Sequence, residues 1–140
     1  MSTSKRETLL AAVKTALAGT SGVSTRIYRS RVEAFARAET PALLIEPIND
    51  TADNAAIPRL NWTMIFQVSV IVRADGPDSA ADATIIDVHS KIMNDSTLQT
   101  NCVGLLPESV AWQFQPADQP LVVAAMQFKA SYITDVNAIT

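Results

Sequence analysis

The sequence is poor in the residues that most often carry chemistry. It has one cysteine and one histidine in 140 residues. Cys102 alone cannot close an internal disulfide, so the fold is not expected to depend on one, as suits synthesis in the cytosol. Charged residues make up 18% of the chain, below the roughly 25% of ordinary soluble domains. No stretch approaches the ~20 apolar residues of a membrane span. The opening MSTSKRETLLAAVKTALAG has its apolar positions interrupted by Lys14 and Thr15 and reads as no secretory signal. There is no GxGxxG, P-loop, GxSxG or CxxC, so no cofactor is expected and catalysis has no recognisable signature. Internal repeats, low-complexity tracts and interdomain linkers are lacking as well, so residues 1–140 are expected to form one domain.

What is present is apolar material and an uneven charge. At 48% hydrophobic, the chain can build one core. The net charge of −3 argues against a polycation that grips nucleic acid non-specifically. Met1 to Arg59 carries eight basic against six acidic residues, or +2; Leu60 to Thr140 carries three against eight, or −5. Such a split suits head-to-tail packing of identical subunits, and a random spread of solvated charge would look the same.

Periodicity gives the order α, β, β, β, α, β, β. Ser4 and Glu7 stand at capping-box spacing before a stripe of Leu9, Leu10, Val13, Ala16 and Leu17, which Gly19 and Gly22 end. VSTRIYRSR reads as a strand; VEAFARAE fits either a helical turn or an ordered loop. ALLIEP reads as a strand buried on both faces, and INDTADNAAIP as a long polar loop. From Leu60 to Val72 the alternation is clean, with Trp62, Met64, Phe66, Val68 and Val70 pointing one way. Ser79 and Asp82 suggest a second capping box, opening a helix with Ile85, Val88 and Ile92 on its apolar side. STLQTNCVGLLP reads as irregular. SVAWQFQ and LVVAAMQFKASYITD read as strands of an antiparallel hairpin, with Val110, Trp112 and Phe114 on one face of the first. The expected fold class is α+β: a mixed, mostly antiparallel sheet with two helices packed on one face. The other face, bearing Thr63, Gln67, Ser69, Gln127 and Lys129, is polar enough for water or a partner. Strands this long should leave edges that are either blunted or used for sheet extension.

The candidates for chemistry are thin. His89 lies beside the apolar stripe of the second helix with no partner the spacing identifies, which favours a structural role over a catalytic one. Cys102 has no neighbouring cation and reads as a half-buried inert thiol. Asp75, Asp78, Asp82 and Asp87 crowd one region, but DGPDSAAD lacks the EF-hand spacing, so no metal site is assigned and helix capping accounts for them better. Arg26, Arg29 and Arg31, with Tyr28 among them, could grip single-stranded nucleic acid. The cluster is small and has no stacking platform, so a solvated strand or a subunit contact fits better.

Taken in order, TRIYRSRVEAF, PALLIEP, the long strand LNWTMIFQVSVIVRA, NDSTLQTNCVGL and the closing AAMQFKASYITD resemble the tail terminator proteins of long-tailed bacteriophages and tailocins, the minor tail protein U-like family. The resemblance spans nearly the whole chain, and its motifs are structural rather than catalytic. It implies a homo-oligomer, a hexameric ring on the head-proximal end of the tail tube. The ring would stop tube polymerisation and present the surface to which the head attaches. The implied partners are further copies of the chain, the tail tube protein, a head-completion or neck protein and the tape measure protein, with no membrane and no specific nucleic acid. The implied location is the virion, after assembly in the host cytoplasm. The family offers no catalytic residues to carry over. From charge and loop length, residues 49–56 (with Asn49, Asp50 and Asp53) and 97–106 are expected to reach neighbours. Arg26, Arg29, Arg31 and Arg59 are expected to face acids such as Asp75, Asp78 and Asp118 on the next subunit. Competing readings are another neck protein, a monomeric adaptor or ligand-binding domain, and an enzyme built on His89 or the Asp cluster.

Overall fold

The computed structural model describes residues 3–23, 25–30, 40–56, 58–116, 120–137 and 139. The stretch 32–39, read from sequence as helical turn or loop, lies outside them, as do Arg31 and Asp118.

The chain begins with α1 (Lys5–Ala16), and the capping reads true: the Glu7 N–H donates to Ser4 Oγ at 3.1 Å. Its stripe buries Leu9, Leu10 and Val13. Then come β1 (Ile27–Arg29), β2 (Ala42–Ala56), β3 (Arg59–Arg73), α2 (Pro77–Met93), α3 (Ser96–Asn101), β4 (Gly104–Gln115) and β5 (Leu121–Asp135). The strands form one five-stranded sheet in the order β1-β2-β3-β5-β4. Only β1 against β2 is parallel; the other three pairings are antiparallel. The α+β class expected from sequence is therefore what forms.

The core lies on one face of this sheet. Leu43, Ile45, Met64, Phe66, Val68 and Phe128 point to it from the strands, and Leu9, Val13, Val88, Ile92 and Leu98 close over it from the helices. Phe66 and Phe128 stack with centroids 5.5 Å apart. The opposite face carries no helix among the described residues. There a polar ladder ties the central strands: Gln127 Nε2 donates to Gln67 Oε1 at 3.1 Å, and Gln67 Nε2 to Ser69 Oγ at 3.0 Å.

Three local expectations need correction. Residues 48–56 are not a loop but the outer half of β2, paired with β3 as far as Ala56 and Arg59. Sequence polarity misled because β2, β3 and β5 are each 15 residues long, roughly 50 Å. The longest helix, α2, has 17 residues, roughly 25 Å. Along residues 48–53 of β2 nearly every side chain meets water, so the apolar alternation fades while the backbone pairing to β3 continues. STLQTN is a short helix, because the Asp95 carboxylate accepts from the Leu98 N–H at 2.9 Å and Leu98 is buried. The described helices thus number three rather than two, all contributing to the same core. Finally, α2 starts two residues before Ser79. Gly76 takes the cap position at φ 62°, where a side chain would be strained, and Pro77 supplies a first-turn residue that needs no N–H partner. Asp78 remains in the first turn, where it complements the helix dipole.

Phe128 is 1% exposed and central to the sheet. Phe128→Ala should lower unfolding free energy by about 3–5 kcal/mol, read from urea titration; a loss below ~1 kcal/mol would contradict its place in the core.

Candidate assembly surface

The large apolar side chains that the fold leaves uncovered concentrate on β4. Its inner edge pairs with β5 from Gly104↔Ser131 to Gln115↔Leu121. Its outer edge ends the sheet, so its outward N–H and C=O groups have no strand partner among the described residues. Pro107, which could not sit in a central strand, is tolerated here, and the register shifts between Pro107 and Ser109.

Val110, Trp112 and Phe114 pair with Met126, Ala124 and Val122 of β5, so they share the helix-bearing face. Their partners are buried, yet the three are 44%, 44% and 59% exposed. The helices cover β5 and stop short of β4. Trp112 and Phe114 stack on each other at 6.3 Å and 14°. Beside them runs a groove whose other wall is α2. At one end a cleft of about 330 Å³ is lined by His89, Pro107, Glu108, Val110 and Phe128. At the other, Asp78, Ser79 and Asp82 face Trp112. The exposed residues Asp78 and Asp82 stand one helical turn apart on α2, so this wall is acidic.

His89 is exposed, with its ring 6.5 Å from that of Phe128, and it donates no hydrogen bond to Ser109 or Glu108. His89, expected from sequence to be structural beside the core stripe, lines the mouth of the cleft next to the core residue Phe128. Cys102 is half-buried, donates to the Leu98 carbonyl at 3.0 Å, and has its thiol pushed up by burial, which suppresses the reactive thiolate. Among the described residues no three His, Cys, Asp or Glu side chains gather as metal ligands.

The residues singled out by charge fall into separate places. Arg26 donates to the carbonyls of Pro41 and Gly22 at 2.8 and 2.9 Å. Arg29 makes a two-pronged ion pair with Glu7 at 2.6 and 3.1 Å. That hydrogen bonding lowers the Glu7 carboxyl below its usual range and raises the guanidinium of Arg29. Both arginines lie at the β1 edge, across the sheet from β4. Arg59 pairs with Asp135 at 3.2 Å, and Arg6 with Asp50 at 3.2 Å. Asp50 also has one carboxylate oxygen buried without a partner. Asn49 and Asp53 are exposed on the β2 arm, Asp75 on the turn before α2. Several cations expected to await a neighbour are thus already paired within the chain, whereas Asp78 stands beside the groove. Residues 97–106 contribute α3 and the start of β4, with Val103 and Leu106 exposed. A scan of protein-family models and a search of curated proteins each find nothing that matches this chain.

Sequence reasoning placed Val110, Trp112 and Phe114 on one face but did not single them out. Alternation tells which side chains share a face, not whether a helix covers it. Because these rings lie at the uncovered margin, the double variant Trp112→Ser, Phe114→Ser should cost no more than about 1 kcal/mol in urea unfolding. Trp62→Ser should cost several-fold more, since Trp62 stacks on Tyr132 and donates to Thr134 Oγ1 at 2.9 Å. Equal losses would mean that the β4 row belongs to the core.

Proposed function

We propose that this chain works by assembly rather than by chemistry, as a tail terminator of a long-tailed phage or tailocin. In this reading copies of the chain form a ring, six by the family pattern, on the head-proximal end of the tail tube. The ring stops addition of tube subunits and then offers a surface to the head-completion or neck protein. The tube protein and the tape measure protein are its other neighbours.

One observation carries the assembly reading. A 12-residue edge strand has no strand partner on its outer side among the described residues and displays an exposed Trp112–Phe114 pair. Natural sheet proteins blunt such edges or use them, since an open apolar edge invites uncontrolled pairing. The outer half of β2 adds a second surface, rich in small and polar residues and exposed at Asn49 and Thr51–Asp53. The specific role, capping a tail, rests on the sequence resemblance. A monomer in isolation is compatible with it, because a ring templated by the tube need not close alone.

The test is electron microscopy of particles from a producing strain with a stop codon in place of Glu7. Overlong or ragged tails without heads are expected. Tails of normal length left unjoined to filled heads would transfer the protein to the neck, and normal infectious particles would overturn both assignments.

A further inference from the structure

Resting on that assembly reading, we infer that one copy's β4 edge takes the β1 edge of a second copy, extending the sheet head to tail. Among the described residues the outer edges of the sheet are β1 and β4. Following the pairings across it, β1 runs with β2, against β3, with β5 and against β4. The two edges are therefore antiparallel. Any repeat of the chain that keeps strand direction and helix face sets β4 beside the next copy's β1 as an antiparallel pair, the better-bonded kind.

The side chains match on the same face. Ile27 and Arg29 are in register with Leu43 and Ile45 of β2, both core residues, so they lie on the helix face. Trp112 and Phe114 lie on the helix face of β4. Joining the edges brings the stacked rings against Ile27 and Arg29, an apolar contact together with a guanidinium beside an indole.

Charge selects this contact over its rival. Two copies could also meet β4 to β4 about a two-fold axis, likewise antiparallel. That would set the Asp78 and Asp82 walls of both copies around one seam, like charge on like. The β1 edge instead brings Arg26, whose acceptors are carbonyls that leave its charge whole, and Arg29, whose charge is shared with Glu7. A contact between unlike edges is heterologous and generates a ring when its rotation closes.

The test uses single cysteines in a Cys102→Ala chain, joined by a short bismaleimide, with folding checked by circular dichroism. Gln113 pairs with Val123, and Tyr28 with Leu44, so both sit on the face away from the helices. Gln113→Cys and Tyr28→Cys proteins, concentrated separately, should give no dimer, and their mixture should give one. Thr25→Cys replaces Tyr28→Cys if the latter fails to fold. Asp78→Arg with Asp82→Arg should weaken self-association in sedimentation by roughly tenfold or more. Dimers from Gln113→Cys alone would establish the two-fold β4 contact and overturn the inference. So would oligomers that form without the mixed cross-link, or a chain that stays monomeric and uncross-linked at its solubility limit. None of these outcomes decides the capping role, which the tail-length experiment reads separately.

Discussion

The full-length antiparallel pairing of β3 with β5 is the constraint from which the rest of the molecule follows. It runs without a shift from Arg59↔Asp135 to Arg73↔Leu121. A slip of one residue would turn every core side chain of one strand to the wrong face. Phe66 stacked on Phe128 pins that register at its centre. With the spine fixed, β2 and β1 must lie to one side and β4 to the other. Helices that follow a 15-residue strand pair but span only about half its length must leave something bare. The inward face of β5 is buried from Val122 to Thr134, while the outer half of β2 and the whole of β4 are left largely exposed.

That geometry explains why one kind of signal in the sequence reads well and another does not. The alternation over Leu60–Val72 and Leu121–Tyr132 reports a face buried along most of its length, so both strands and their inward residues are legible from sequence. The Ser4 cap is legible for a similar reason, since its partner is three residues away. The outer half of β2 is not, because residues 48–56 are held by backbone bonds to β3 that leave no apolar pattern. Nor is α3, a helix of 6 residues, too short to show a period and dependent on Leu98 finding the core. The helix-face row of β4 shows the deepest limit. Val110, Trp112 and Phe114 carry the same pattern as a buried strand, and only the position of β4 at the end of the sheet makes them a surface. The ion pairs are illegible for another reason: Arg29 with Glu7, Arg59 with Asp135 and Asp50 with Arg6 find partners 22, 76 and 44 residues away, and no linear reading pairs them.

The described sheet is therefore a plate with unequal margins. The β1 edge is short and carries arginine; the β4 edge is long, aromatic and bordered by aspartates. Surface ion pairs of this kind add little to stability, but they can choose between partners. An apolar edge that lies outside the core and is left exposed by the fold makes sense as a surface meant to be covered.

Amide hydrogen exchange tests that claim most directly, comparing the isolated chain with the same chain in purified tails. About half the β4 amides point away from β5. If β4 is the assembly surface, these exchange freely in isolation and slow by tenfold or more in the particle. Unchanged exchange along β4, with new protection confined to other surfaces, would contradict the account.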